Sequence, residues 1–158
     1  MKIISGGQTG VDRAALDVAL KHGIDCGGWC PAGRLDELGK IPERYPLREL
    51  KDGSFTERTL QNVKDSDGTV IIYIGELRGG TKQTLRFCLG EKRLHHLIDA
   101  MKVSVDEAAG SIGNFVRENK IATLNVAGPR QSEWAEGYEY TFNLIDLFFS
   151  DGGASARR

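Results

Sequence analysis

Short apolar runs punctuate the chain at Lys2 to Ser5, Ile24 to Cys30, Thr69 to Ile74, Leu94 to Ile98 and Ala122 to Val126, and all but the second lead directly into a helically spaced stretch. Val70-Ile71-Ile72-Tyr73-Ile74 is apolar without alternation, as a strand covered by helices on both faces requires. Connections that contain a helix are the usual route between parallel neighbours. The pattern predicts a doubly wound, mainly parallel α/β sheet with helices on both faces.

Thr9 with Asp12, Ser54 with Glu57 and Ser104 with Glu107 fit the [ST]-x-x-[DE] box, in which two residues satisfy each other's orphan backbone donors at a helix start. After Ser104, Val105, Ala108, Ile112 and Phe115 or Val116 recur at helical spacing. Trp134, Tyr138, Phe142, Ile145 and Phe149 form a stripe on the last helix, read as core or subunit interface. The stretch from Pro31 to Phe55 is broken by Pro31, Gly33, Gly39, Pro42, Pro46 and Gly53, and a loop of that length is expected to be functional or mobile. The segment 151–158 lacks an apolar pattern and is expected to be a disordered tail.

At 158 residues the chain suits one domain, expected to span residues 1–150. Lys and Arg total 21 against 22 Asp and Glu, for a net charge of -1, and no run of like charge marks a nucleic-acid polymer or a membrane surface as partner. Any anion site must be local. The N-terminal residues hold no apolar stretch long enough for a signal peptide or a membrane span, so a cytoplasmic location is expected. Cys26, Cys30 and Cys88 are an odd set, and the close pair lacks the further soft ligands of a zinc site; buried thiols and no metal are expected. His95 and His96 are adjacent and read as structural.

Candidate chemistry lies in the glycine loops. In Ser5-Gly6-Gly7-Gln8-Thr9-Gly10-Val11-Asp12-Arg13 a strand turns into a helix through glycines that let backbone amides approach an anion, where the helix also presents its positive end. The spacing is neither the dinucleotide fingerprint nor a P-loop, so a generic phosphate cradle competes with a plain tight turn. Three further segments share the carboxyl edge of such a sheet, where ligands bind at the reversal of strand order: Pro31-Ala32-Gly33-Arg34, Leu77-Arg78-Gly79-Gly80-Thr81, and Asn125-Val126-Ala127-Gly128-Pro129-Arg130. Gly79-Gly80-Thr81 repeats the first loop's logic, with Thr81 as the cap. Arg13, Arg34 and Arg130 stand beside these loops as phosphate ligands or as solvated arginines. Asp12 is a cap or the holder of a divalent cation bridging to phosphate. Asp65 and Asp67 close a helix into a turn or serve as acid and base.

These segments, with Gly28-Trp29-Cys30-Pro31-Ala32-Gly33-Arg34, Ile41-Pro42-Glu43-Arg44-Tyr45-Pro46-Leu47 and Asn62-Val63-Lys64-Asp65-Ser66-Asp67-Gly68-Thr69, together resemble the putative molybdenum carrier family, over the chain to about residue 150. The resemblance implies a Rossmann-like fold within the wider group that contains LOG-type phosphoribohydrolases, a dimeric or tetrameric state, and binding of molybdenum cofactor, a phosphorylated pyranopterin. Those hydrolases carry P-G-G-x-G-T-x-x-E, whose glutamate takes part in the reaction. Here the stretch is Arg78-Gly79-Gly80-Thr81-Lys82-Gln83-Thr84, with Thr84 where the acid would stand, and a threonine is no carboxylate base.

The expectation is therefore a carrier that holds molybdenum cofactor, or a nucleotide-like phosphorylated ligand, on Gly6, Gly7, Gln8, Thr9, Gly10, Asp12, Arg13, Gly79, Gly80, Thr81, Thr84, Gly128 and Arg130, with the ligand's ring toward Pro31, Gly33 and Arg34. A nucleotide-processing hydrolase and a ligand sensor are the alternatives.

Overall fold

The computed structural model describes residues 1–155. Its elements follow in order as β1 (Lys2–Ile4), α1 (Val11–Lys21), β2 (Asp25–Gly27), β3 (Trp29–Cys30), a 3-10 turn (Ala32–Arg34), β4 (Leu35–Asp36), β5 (Gly39–Lys40), β6 (Arg48–Glu49), α2 (Phe55–Lys64), β7 (Gly68–Tyr73), α3 (Gly79–Gly90), β8 (Leu94–Asp99), α4 (Val105–Glu118), β9 (Thr123–Ala127) and α5 (Gly137–Ser155). Each predicted apolar run is a strand, the second divided into β2 and β3. The main sheet has the order β2-β1-β9-β7-β8 with every pair parallel, in the Rossmann-like manner.

From β1 the chain winds one way to β2, and from β7 it winds the other way to β8. Right-handed crossovers then put α1 and α3 on opposite faces. Accordingly α1 and α4 pack on α5, while α2 packs on α3. Ile3, Val70, Ile72, Leu124 and Val126 carry the sheet's share of the core, and Ala14, Ala15 and Ala19 are buried on α1. Such small residues let helix and sheet approach closely.

The boxes at Ser54–Glu57 and Ser104–Glu107 form in full. The third does not: Gly10 occupies the N-cap of α1, and the Asp12 carboxylate accepts from the Gln8 amide at 3.3 Å. Thr81 is likewise no cap, because α3 begins two residues earlier with Arg78 at the N-cap. Trp134 precedes α5 and meets it through Tyr140, with ring centroids 5.7 Å apart. The expected tail is helical at residues 151–155, as the end of α5, and its residues 156–158 lie outside the described residues. All three cysteines are free and buried. Among the described residues no helix is long and apolar enough to cross a membrane, and no three His, Cys, Asp or Glu side chains converge as metal ligands.

The stretch from Pro31 to Phe55 is ordered by Arg34. This buried side chain donates to the carbonyls of Ile41 (3.3 Å), Leu47 (3.1 Å), Pro42 (2.8 Å) and Tyr45 (3.0 Å), so one guanidinium supplies partners to four backbone oxygens. Buried and with four of its five N–H donors given to the chain, it does not stand as an exposed phosphate ligand.

Candidate functional site

A cavity of about 490 Å³ opens at the carboxyl end of the sheet. Gln8 lines it from the β1–α1 connection, Asp12 from α1, Phe55, Thr56, Arg58 and Thr59 from α2, Gly79, Gly80, Thr81, Gln83 and Thr84 from α3, and Ala127, Gly128, Arg130 and Glu133 from the end of β9 and the segment leaving it. This is the edge where the winding direction reverses, the usual ligand crevice of an open α/β sheet. Gly128 is required there because a Cβ would strike the Ile72 carbonyl and Val11.

Helices α2 and α3 both point their N-terminal turns at the cavity. Among the described residues, the backbone N–H groups of Phe55, Thr56, Gly79, Gly80 and Thr81 have no protein acceptor. Unpaired amides at a helix start carry much of the partial positive charge that attracts anions. The first turn of α3 holds no acid, and Glu57 of α2 faces its own cap, accepting from the Ser54 amide. Both helix starts are therefore open to an external anion.

Arg58 adds a full charge. Its Nη1 lies 3.6 Å from the Asp12 carboxylate, with the Arg58 side chain 14% exposed and that of Asp12 5%. Gly6 makes the approach possible, since a Cβ at that position would collide with the guanidinium. Burial is the larger influence on both groups: it raises the Asp12 carboxyl above the ordinary carboxylate value against the pull of Arg58, and it lowers Arg58 against the pull of Asp12. Arg58 stays a cation because arginine starts so far above neutral pH. Among the described residues its Nε has no acceptor and Gln8 Oε1 has no donor, although Gln8 Nε2 donates to the Leu35 carbonyl at 2.9 Å and so fixes the amide. Buried polar atoms left in this state favour a polar occupant.

The structure brings together Gln8, Asp12, Gly79, Gly80, Thr81, Thr84, Gly128 and Arg130 of the expected residues. Thr84 donates its hydroxyl to the Gly80 carbonyl at 3.0 Å. Others lie elsewhere. The start of α1 is closed by the chain: Val11 donates to the Pro129 carbonyl at 3.3 Å, and a Cβ on Gly10 would come within 2.6 Å of that same oxygen. Around the loop Gly6–Gly10 the space on the Cβ side of the glycines is filled by the chain itself, with Gly6 against Arg58 and Gly7 against Leu47 and Ile41. Thr9, Gly10 and Arg13 line a second cavity of about 510 Å³ with Glu37, Leu38, Gln131, Ser132 and Tyr138. There Arg13 donates to the Gly7 carbonyl at 3.0 Å and pairs with Asp36 at 2.8 Å, while the Thr9 hydroxyl donates to Glu37 and accepts from the Gln131 amide. Pro31, Gly33 and Arg34 line neither cavity, and the Gly33 amide donates to Glu49. Asp65 ends α2 and accepts from Trp29 Nε1, and Asp67 accepts the amides of Ala122 and Thr123, so both are structural.

Arg58, Phe55, Thr56 and Thr59 were not among the expected residues. The box Ser54–Glu57 marks where α2 begins, and an arginine one position beyond it lies in the first turn; nothing in the sequence shows which way that turn faces.

Residues 3–149 match the family model described as the circularly permutated YpsA SLOG family. The chain is also similar to the crystal structure of a protein from Syntrophus aciditrophicus SB, called there a putative molybdenum carrier protein, with 47% identity over 93% of each chain and a TM-score of 0.91. No curated protein is significantly similar to it.

Proposed function

Because this chain belongs to the circularly permuted YpsA SLOG family, we propose that it is a binding protein whose cargo is a phosphorylated small molecule of the molybdenum-cofactor or nucleotide type. The carrying observation is that two helix starts with unpaired amides, α2 and α3, meet Arg58 at one cavity. The phosphate lies on the amides of Phe55, Thr56, Gly79, Gly80 and Thr81, with Arg58 and Arg130 as charged partners. The rest of the ligand fills the remaining space of the cavity. At about 490 Å³ that space falls in the range of small-molecule sites.

Mass spectrometry of small molecules released from native protein, followed by calorimetric titration with molybdenum cofactor and nucleoside monophosphates, tests this reading. It predicts binding of at least one of them, and undetectable binding of all would end it.

One observation favours turnover as a second reading. The Asp12 carboxyl is raised by burial in the cavity wall, as suits an acid that holds a proton closer to neutral pH. Release of free base from a nucleoside monophosphate, lost in Asp12→Asn, is the expected sign; no release by the native chain removes this reading and leaves binding.

A further inference from the structure

Among the described residues Phe55 is the one aromatic in the wall of a cavity otherwise lined by polar side chains, glycines and Ala127. It is 46% exposed although it begins α2, and the core does not use it. Its backbone amide belongs to the anion-binding set, so its ring stands one residue's reach from the phosphate position. The α3 side offers room, because a Cβ on Gly80 would meet nothing within 4 Å. Resting on the phosphate reading, we infer that Phe55 is the stacking platform for a planar heteroaromatic ring carried by the phosphorylated ligand.

An aromatic face left to water beside a polar cavity gains most by covering a flat ring, whose π-face every nucleobase or pterin presents. The platform also corrects the ring's direction: it lies over α2, and not toward Pro31 to Arg34, which line neither cavity. Phe55 thereby separates two tasks within one residue. Its main chain reads charge, and its side chain reads flatness.

The test compares inorganic phosphate, ribose 5-phosphate and adenosine 5′-monophosphate by calorimetric titration on the native chain, Phe55→Ala and Phe55→Trp. The native chain should bind the nucleotide more tightly than ribose 5-phosphate. Phe55→Ala should weaken the nucleotide about tenfold, a change within the usual worth of one base stacked on an aromatic ring, while leaving the other two ligands unchanged. Phe55→Trp should restore the nucleotide. Equal weakening of all three ligands, or none, overturns the platform and leaves the phosphate reading in place. Failure of all three to bind the native chain sinks both.

Discussion

Asp12 and Arg58 face one another at 3.6 Å beneath a glycine that has no room for a side chain. One sits on α1 and the other on α2, on opposite sides of the sheet, and they meet beyond its edge. A buried pair of this kind contributes little net stability when intact, yet removing one partner strands the other.

Arg58→Ala should therefore destabilise the chain by about 3 kcal/mol at pH 8 and by less at pH 5, because Asp12 can take up a proton instead of remaining as a lone buried charge. Urea unfolding at the two pH values measures this. Equal losses at both would show that Asp12 does not respond to its partner.

The pH dependence has a definite sign. Asp12 is raised in the folded chain above its ordinary value of 3.8, with burial as the first cause and Arg58 opposing it. The folded state then holds its proton more tightly than the unfolded state. This contribution to stability is full below the unfolded value and is lost as pH rises through the folded one. Arg58, Arg13, the Gln8 amide and the Ser5 hydroxyl face the carboxylate. Subtracting the stability profile of Asp12→Asn from that of the native chain should leave a curve that falls as pH rises from about 4. A rising difference curve would contradict the assignment.

Gly80→Asp separates stability from binding. The position opens to solvent and needs no unusual backbone angle, and an acid in the first turn of a helix is stabilising by about 0.3 to 1 kcal/mol. The same carboxylate would repel an oxyanion from the amides of α3. Melting temperature should hold or rise slightly, while affinity for inorganic phosphate should fall more than tenfold. Retained affinity would mean that the anion does not lie at α3.

Arg34→Ala tests the reassignment of that arginine. Four backbone carbonyls would lose their donor, and a loss of about 3 kcal/mol is expected from buried acceptors left unpaired. Phosphate affinity of the folded fraction should be unchanged. A large loss of affinity without loss of stability in denaturant would return Arg34 to the binding surface.

The sheet and its winding were legible because buried parallel strands are continuously apolar and helix caps have a fixed spacing. The boxes at Ser54 and Ser104 placed two helix starts correctly. The Thr9 box failed for a tertiary reason: Glu37 and Gln131 capture the threonine hydroxyl, and Gly10 takes the left-handed turn that starts α1. Within the cavity, glycines and threonines at loop ends were visible, since such loops must fall at the carboxyl edge. Arg58 was not visible, because its importance comes from Gly6, far away in sequence, yielding the space that the guanidinium enters. The arginines beside the glycine loops all hold the chain's own oxygens: Arg13 the Gly7 carbonyl, Arg34 four carbonyls, and Arg130, the one of the three at the cavity, the Glu133 carboxylate at 3.0 Å.

The strand order also governs how the molecule comes into being. The last strand made, β9, lies between β1 and β7, so a chain leaving the ribosome carries two unjoined half-sheets until residue 127 has emerged. Until then Ile3 and Val70 lack the neighbour that closes their ladder, and both halves expose open edges suited to pairing with other chains. Truncation before β9 would not trim this protein but divide it.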